Sequence, residues 1–221
     1  MDPVAAPRTA PAEANSAPLL SPSQGGTVSS LNPPPSDALL SLISELDRAV
    51  EDCNCERTTC DSVKASLERY IGPDKPFLDA SFLQPKQGHY ARRLLHRDPA
   101  GRYSVIIMVW GTDQGTAIHD HGGLWCVECV YRGRIRVHSY DIGDGPSEHT
   151  HSFQKENTVI AGCGEAGALI PPFDYHVIEN PFQEAAVTVH VYGGEMSWCH
   201  CYEPSQDGGY ERIRRDLQLV D

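Results

Sequence analysis

The amino-acid sequence predicts a mainly β protein, an antiparallel sandwich or small barrel preceded by short α-helices, on three observations. Apolar residues recur at helical spacing from Ser36 to about residue 71. From Tyr90 onward the period switches to two, in short apolar runs. Gly, Pro, Asp and Asn punctuate those runs at intervals of roughly ten residues, as they do in all-β folds. The 221 residues suffice for one domain with a sizeable core and are too few for two large ones.

Residues 1–36 hold eight of the 17 prolines, mixed with Ala, Ser and Gly and almost without aliphatic pattern. Such a segment cannot bury enough apolar surface to offset the entropy of ordering it, so a disordered tail is predicted there. Ser36 is placed to cap a helix in which Leu39, Leu40, Leu42, Ile43 and Leu46 recur. A second helix is predicted over Asp61–Ile71. Between the two, Cys53, Cys55 and Cys60 look like half of a zinc site. A closed zinc site needs four ligands at matching spacings, and no CxxC pair occurs among these three, so they read as ordinary helix-loop cysteines. The strands predicted next are Tyr103–Trp110, Leu124–Tyr131, Gly133–Tyr140, Thr158–Ile160, Gly167–Ile170 and Ala185–Tyr192. Together the helices and strands make one domain over residues 37–203, with 204–221 as a C-terminal extension.

The 18 Lys+Arg against 30 Asp+Glu leave a net charge of −12, and no basic run is set against it. A negative field repels polyanions, which argues against nucleic acid or an anionic membrane surface as a partner. No apolar stretch is long enough to span a bilayer. The N-terminus lacks the positive start and apolar run of a secretory signal, and its lone Arg8 sits beside Asp2 and Glu13, unlike a mitochondrial transit peptide. The eight cysteines therefore read as thiols of a reducing compartment, and the chain as a cytoplasmic monomer.

The chemistry concentrates at Ala117-Ile118-His119-Asp120-His121. In a strand, alternate side chains share a face, so His119 and His121 can bind one metal together while Asp120 points away. His149-Thr150-His151 has the same spelling in a polar stretch and reads as a solvated loop. Around the first pair, the glycine-bearing turn before it and Gly133 in the next hairpin resemble the first motif of the cupin barrels. The second cupin motif is matched by Pro171–Asn180, with His176 and Asn180 at the expected separation and Phe173 where a glycine is usual. The common cupin glutamate, about five residues beyond the HxH, is replaced by Cys126. Glu128, two further on, would share its face, and spacing alone leaves it open as a displaced carboxylate ligand.

The HDH followed five residues later by Cys126, with Thr188-Val189-His190-Val191-Tyr192 as a late SxHxY-like strand, resembles the thiol dioxygenase branch of the cupin superfamily, and within it the cysteine dioxygenase family. Tyr90-Ala91-Arg92 is similar to that family's YxR segment, and Trp110-Gly111, Glu179-Asn180 and Cys199-His200 also have counterparts. The likeness covers about residues 85–203, with the helices over 37–71 a less specific match.

The resemblance implies a cupin jelly roll that holds one Fe(II) on His119, His121 and His176, with no role for Glu128 as a ligand. It implies L-cysteine and O2 as substrates, cysteine sulfinate as product, and Arg92 gripping the substrate carboxylate with Tyr90 beside it. It also implies that His190 supports Tyr192, which orients the reactants. Cys126 and Tyr192 would join in a thioether, a protein-derived cofactor of the eukaryotic-type enzymes. The physical reasoning agrees: three neutral imidazoles leave a divalent metal its full charge, which favours an anionic thiolate, and zinc has no redox chemistry with which to activate O2. A planar guanidinium meets a carboxylate bidentately. Arg93 lies next door, and only one of the two can point inward. The rival readings are a 3-mercaptopropionate dioxygenase and a non-catalytic metal-binding cupin sensor.

Overall fold

A computed structural model describes residues 35–53 and 55–220. All but the last two residues of the expected tail lie outside the described residues. Helix α1 spans Asp37–Asp52, and the Ser36 hydroxyl caps it by accepting from the Leu39 N–H at 3.2 Å. It buries Leu39, Leu42, Leu46 and Ala49 along one stripe. Helix α2 spans Glu56–Tyr70 and so begins earlier than the sequence suggested. Its first turn, Glu56-Arg57-Thr58-Thr59, carries no aliphatic residue, so hydrophobic periodicity could not mark it. Cys53 and Cys55 flank the turn between the helices, Cys60 is buried in α2, and the described cysteines are all free thiols.

A 3-10 turn at Ala80–Leu83 leads into twelve strands: β1 (Ala91–Arg97), β2 (Ser104–Trp110), β3 (Gln114–Gly115), β4 (Ile118–His119), β5 (Cys126–Arg132), β6 (Arg134–Asp144), β7 (Thr150–Gly162), β8 (Ala166–Leu169), β9 (His176–Asn180), β10 (Ala186–Tyr192), β11 (Trp198–Pro204) and β12 (Tyr210–Asp216). They form a five-stranded sheet of order β1-β2-β10-β5-β8 and a seven-stranded sheet of order β3-β9-β4-β11-β12-β7-β6, with antiparallel pairings throughout. This is the predicted mainly β jelly-roll barrel with helices before it. Residues 204–221, expected as an extension, supply β12, which sits between β11 and β7.

The five-stranded sheet is buried on both sides, which is why β2 and β10 read as nearly continuous apolar runs. One face, with Val105, Ile107, Val109, Val187, Val189 and Val191, packs under Leu42, Leu46, Val63 and Leu67 of the helices. The other face looks into the barrel, where Ile106, Met108, Trp110, Cys126 and Tyr192 meet Ile135, Ile178 and Cys199 of the second sheet. Gly133, between β5 and β6, has φ +77°, and a Cβ there would lie 2.9 Å from the Ala185 carbonyl, so the hairpin requires glycine. No described helix is long and apolar enough to cross a membrane.

Candidate metal centre and active site

Two short strands and a turn build the centre. His119 closes β4 and pairs across the sheet with His176 at the start of β9, while His121 lies two residues on, in the turn before β5. The donor atoms of His119, His121 and His176 all lie within 4.8 Å of one another. The intervening Asp120 points away, as alternation requires, and accepts from the His200 N–H at 2.9 Å while its other oxygen lies 2.8 Å from His200 Nδ1. It thereby ties the HxH turn to β11.

Second partners set which nitrogen each ring offers. His121 Nδ1 lies 3.0 Å from an oxygen of the buried Asp174, and the same oxygen accepts from the His121 backbone N–H. His119 Nδ1 lies 3.1 Å from the Ala117 carbonyl. Both contacts place a proton on Nδ1 and leave the Nε2 lone pair for a cation, the usual orientation of metal-binding imidazoles. Burial and the neighbouring His121 hold His119 down to about 4, and burial with the adjacent imidazoles holds His176 far below the ordinary histidine range. His119 and His176 are therefore neutral donors at neutral pH.

His176 is buried, and among the described residues neither of its ring nitrogens has a hydrogen-bond partner. A buried polar group left unpaired costs about 1–3 kcal/mol, and a metal ion satisfies it. The donor set fits a divalent cation on this ground. Glu128, which spacing left open as a fourth ligand, is not part of the cluster. Its place in β5 is opposite His190 rather than opposite the three histidines.

Cys126 and Tyr192 face each other across the β5–β10 ladder, both buried. Burial keeps the Cys126 thiol and the Tyr192 phenol protonated, well above their usual ranges. The Tyr192 ring lies 6.0 Å from that of His121 and stacks at 14° on His190. Thr188, His190 and Tyr192 share one face of β10: Trp110 Nε1 donates to Thr188 Oγ1 at 2.9 Å, and that oxygen is 2.7 Å from His190 Nε2.

Arg92 is only 4% exposed. In register it is opposite Met108, whose side chain belongs to the barrel interior, whereas Arg93 is opposite Ile107 of the helix-facing side. The side chain donates one Nη2 bond to the Met196 carbonyl at 2.9 Å and leaves a buried Nε without partner. Its positive charge acts on Tyr192, His190 and Tyr90. Tyr90 packs on Trp110 with ring centroids 4.6 Å apart. The Val220 N–H donates to the Arg92 carbonyl at 2.7 Å, so the end of the described chain is pinned to β1 beside this residue. Sequence reasoning passed over Asp174. A carboxylate two residues before a candidate ligand histidine was the available signal.

A jelly-roll barrel with three convergent imidazoles defines a cupin metal centre. The family model for cysteine dioxygenase type I matches residues 56–205, and the chain belongs to that family. Among curated relatives, rat cysteine dioxygenase type 1 is 24% identical over 149 residues, covering 67% of this chain and 72% of its own. The human protein of the same name is 22% identical with the same coverage, and the zebrafish one 24% identical over 65% of this chain and 69% of its own. A solved Klebsiella pneumoniae protein with a double-stranded β-helix domain overlaps at TM-score 0.41 and 18% identity, over 56% of this chain and 93% of that one.

Proposed function

We propose that the protein is an iron(II)-dependent dioxygenase that converts L-cysteine and O2 to cysteine sulfinate. The balance is RSH + O2 → RSO2H: the sulfur is oxidised by four electrons, O2 is reduced by four, and both oxygen atoms stay on the sulfur. Membership of the cysteine dioxygenase type I family supports the reaction class. The observation that carries the substrate assignment is the buried Arg92 Nε, unpaired among the described residues, which needs an acceptor.

Held by His119, His121 and His176, iron would supply the redox chemistry that activates O2. Arg92 binds the carboxylate through Nε and its terminal nitrogens, which fixes the distance between carboxylate and thiol. Tyr192, protonated and beside Cys126, presents its hydroxyl as a donor to the reacting groups, and His190 holds the phenol ring in place by stacking. Tyr90 and Trp110 wall the carboxylate end. Cys126 and Tyr192 are directly opposed, and loss of one hydrogen from each, with O2 as oxidant, would join them as a thioether.

Oxygen uptake by the iron-loaded protein with a panel of thiols tests this reading. L-Cysteine should be oxidised fastest, and cysteamine, which lacks the carboxylate, poorly. Turnover several-fold faster with 3-mercaptopropionate would reassign the substrate, and no uptake with any thiol would leave a metal-binding cupin sensor. Activity that survives removal of oxygen would point to a zinc or manganese cupin of another reaction class.

A further inference from the structure

Glu128 is a carboxylate inside the barrel, 6% exposed, and the proposed chemistry does not use it. It makes no hydrogen bond among the described residues, and Oε2 is fully enclosed. On one side it borders a cavity of about 420 Å³ lined chiefly by Val130, Ile135, Val137, Val159 and Leu169, with Glu165 as the other charged group and no Lys, Arg or His. On the other side, Oε2 lies 3.6 Å from Nδ1 of His190, its register partner across the β5–β10 ladder. Cys126 and Tyr192 are two register positions away on the same face, and Arg92 acts on the His190 imidazole from β1. Among the described residues His190 is the charged-group partner within 4 Å of this carboxylate.

The hydrogen bonds around His190 decide where its proton sits. The Trp110 indole can only donate, so Thr188 Oγ1 accepts there. Among the described residues the Thr188 hydroxyl proton then has one acceptor in reach, His190 Nε2. That nitrogen must carry a lone pair, and the ring proton of the neutral imidazole falls on Nδ1, aimed at Glu128.

We infer that Glu128 is a positioning residue: its ionised carboxylate selects the Nδ1–H tautomer of His190 and holds that ring under Tyr192. The inference rests on the thiol dioxygenase reading only for its kinetic consequence. A carboxyl that kept its own proton would offer it to Nδ1 and break the line from Trp110. Burial raises the Glu128 carboxyl to about 8, so the line is complete only on the alkaline side of that value.

Two measurements test this. In the zinc-loaded full chain, where the metal is diamagnetic, 15N NMR of labelled histidines at pH 9 should show His190 protonated on Nδ1, with the resonance assigned by its loss in His190→Gln. An Nε2–H tautomer overturns the inference, whatever the protein oxidises. In the iron-loaded enzyme, kcat should rise through a step near pH 8 that Glu128→Gln abolishes, because an amide oxygen accepts from Nδ1–H without titrating. Glu128→Leu, which cannot accept at all, should lower kcat about 10–100-fold with KM within about two-fold. A pH profile unchanged by Glu128→Gln refutes the role. If no thiol supports oxygen uptake, the substrate reading fails and the NMR result alone decides this one.

Discussion

The two faces of the five-stranded sheet are made by the same strands and differ in almost everything else. Toward the helices, β2, β5 and β10 present Val105, Ile107, Val109, Val127, Val189 and Val191, a dry aliphatic layer. Toward the barrel, the alternate positions hold Trp110, Cys126, Glu128, Thr188, His190 and Tyr192, joined by Arg92 from β1. A β-strand's period of two lets one segment supply stability on one side and chemistry on the other, and the helices are what allow the first side to be wholly apolar. Among the described residues the inner face carries unpaired buried groups at Arg92 and Glu128, with His176 of β9 across the barrel, while on the helix-facing side the unpaired buried atoms belong to Arg93 and His96 of the edge strand β1.

The division breaks hardest at the metal. His176→Ala removes the donor with no other partner, and iron content by elemental analysis should fall from one per chain to near zero, with oxygen uptake at background. Retention of stoichiometric iron would show that the three imidazoles are not the holding set. Next in size is Arg92→Ala. Charge-assisted hydrogen bonds are worth about 1.5–3 kcal/mol, so KM for L-cysteine should rise about 10–100-fold, with no matching rise for a thiol lacking the carboxylate. An unchanged KM removes Arg92 from substrate binding.

The outer face should respond in the opposite sense. Ile107 is fully buried against the helices, and Ile107→Ala should cost about 2–5 kcal/mol in urea unfolding while kcat and KM of the remaining folded protein stay within about two-fold. A large kinetic effect would mean that the two faces are coupled through the backbone. A smaller signature separates the faces by pH. With its pKa raised to about 8, folded Glu128 keeps a proton that the unfolded chain releases above its ordinary pKa of about 4.3. The folded state binds more protons in that window, so this group's contribution to stability is full below it and is lost as pH rises from about 5 to 8. Glu128→Gln should flatten that fall in the denaturation midpoint, and an Ile107 variant should leave its slope as it was.

Legibility in the sequence followed the same division. Strands β2 and β10 were readable because both are buried throughout and rich in β-branched residues, and His119, His121 and His176 because metal-ligand spacing is local. Strands β1, β11 and β12 were not readable as separate elements, since Ala91–Arg97 and Tyr210–Asp216 are dense in arginine and exist as strands through their neighbours. The pairing of Glu128 with His190 was equally out of reach. It depends on the β5–β10 register, which shifts at a bulge between Val187 and Thr188 that no local pattern announces.

The smallest expected effect concerns the second HxH. His149 and His151 share the spelling of His119 and His121, and the sequence read them as a solvated loop. The structure puts His149 in a turn and His151 in β7, where its ring packs edge-on to Tyr202 at 5.6 Å. Neither joins a group of metal donors among the described residues. What separates the two motifs is not spacing but a third imidazole: β9 brings His176 opposite His119, whereas His151 is paired with Tyr210 and Asp144 and no group of three donors forms there among the described residues. The double substitution His149→Ala, His151→Ala should leave the iron stoichiometry at one per chain and kcat within about two-fold. A wild-type content of two per chain that falls to one in the double variant would show that the chain holds a second metal and that strand context is the weaker guide.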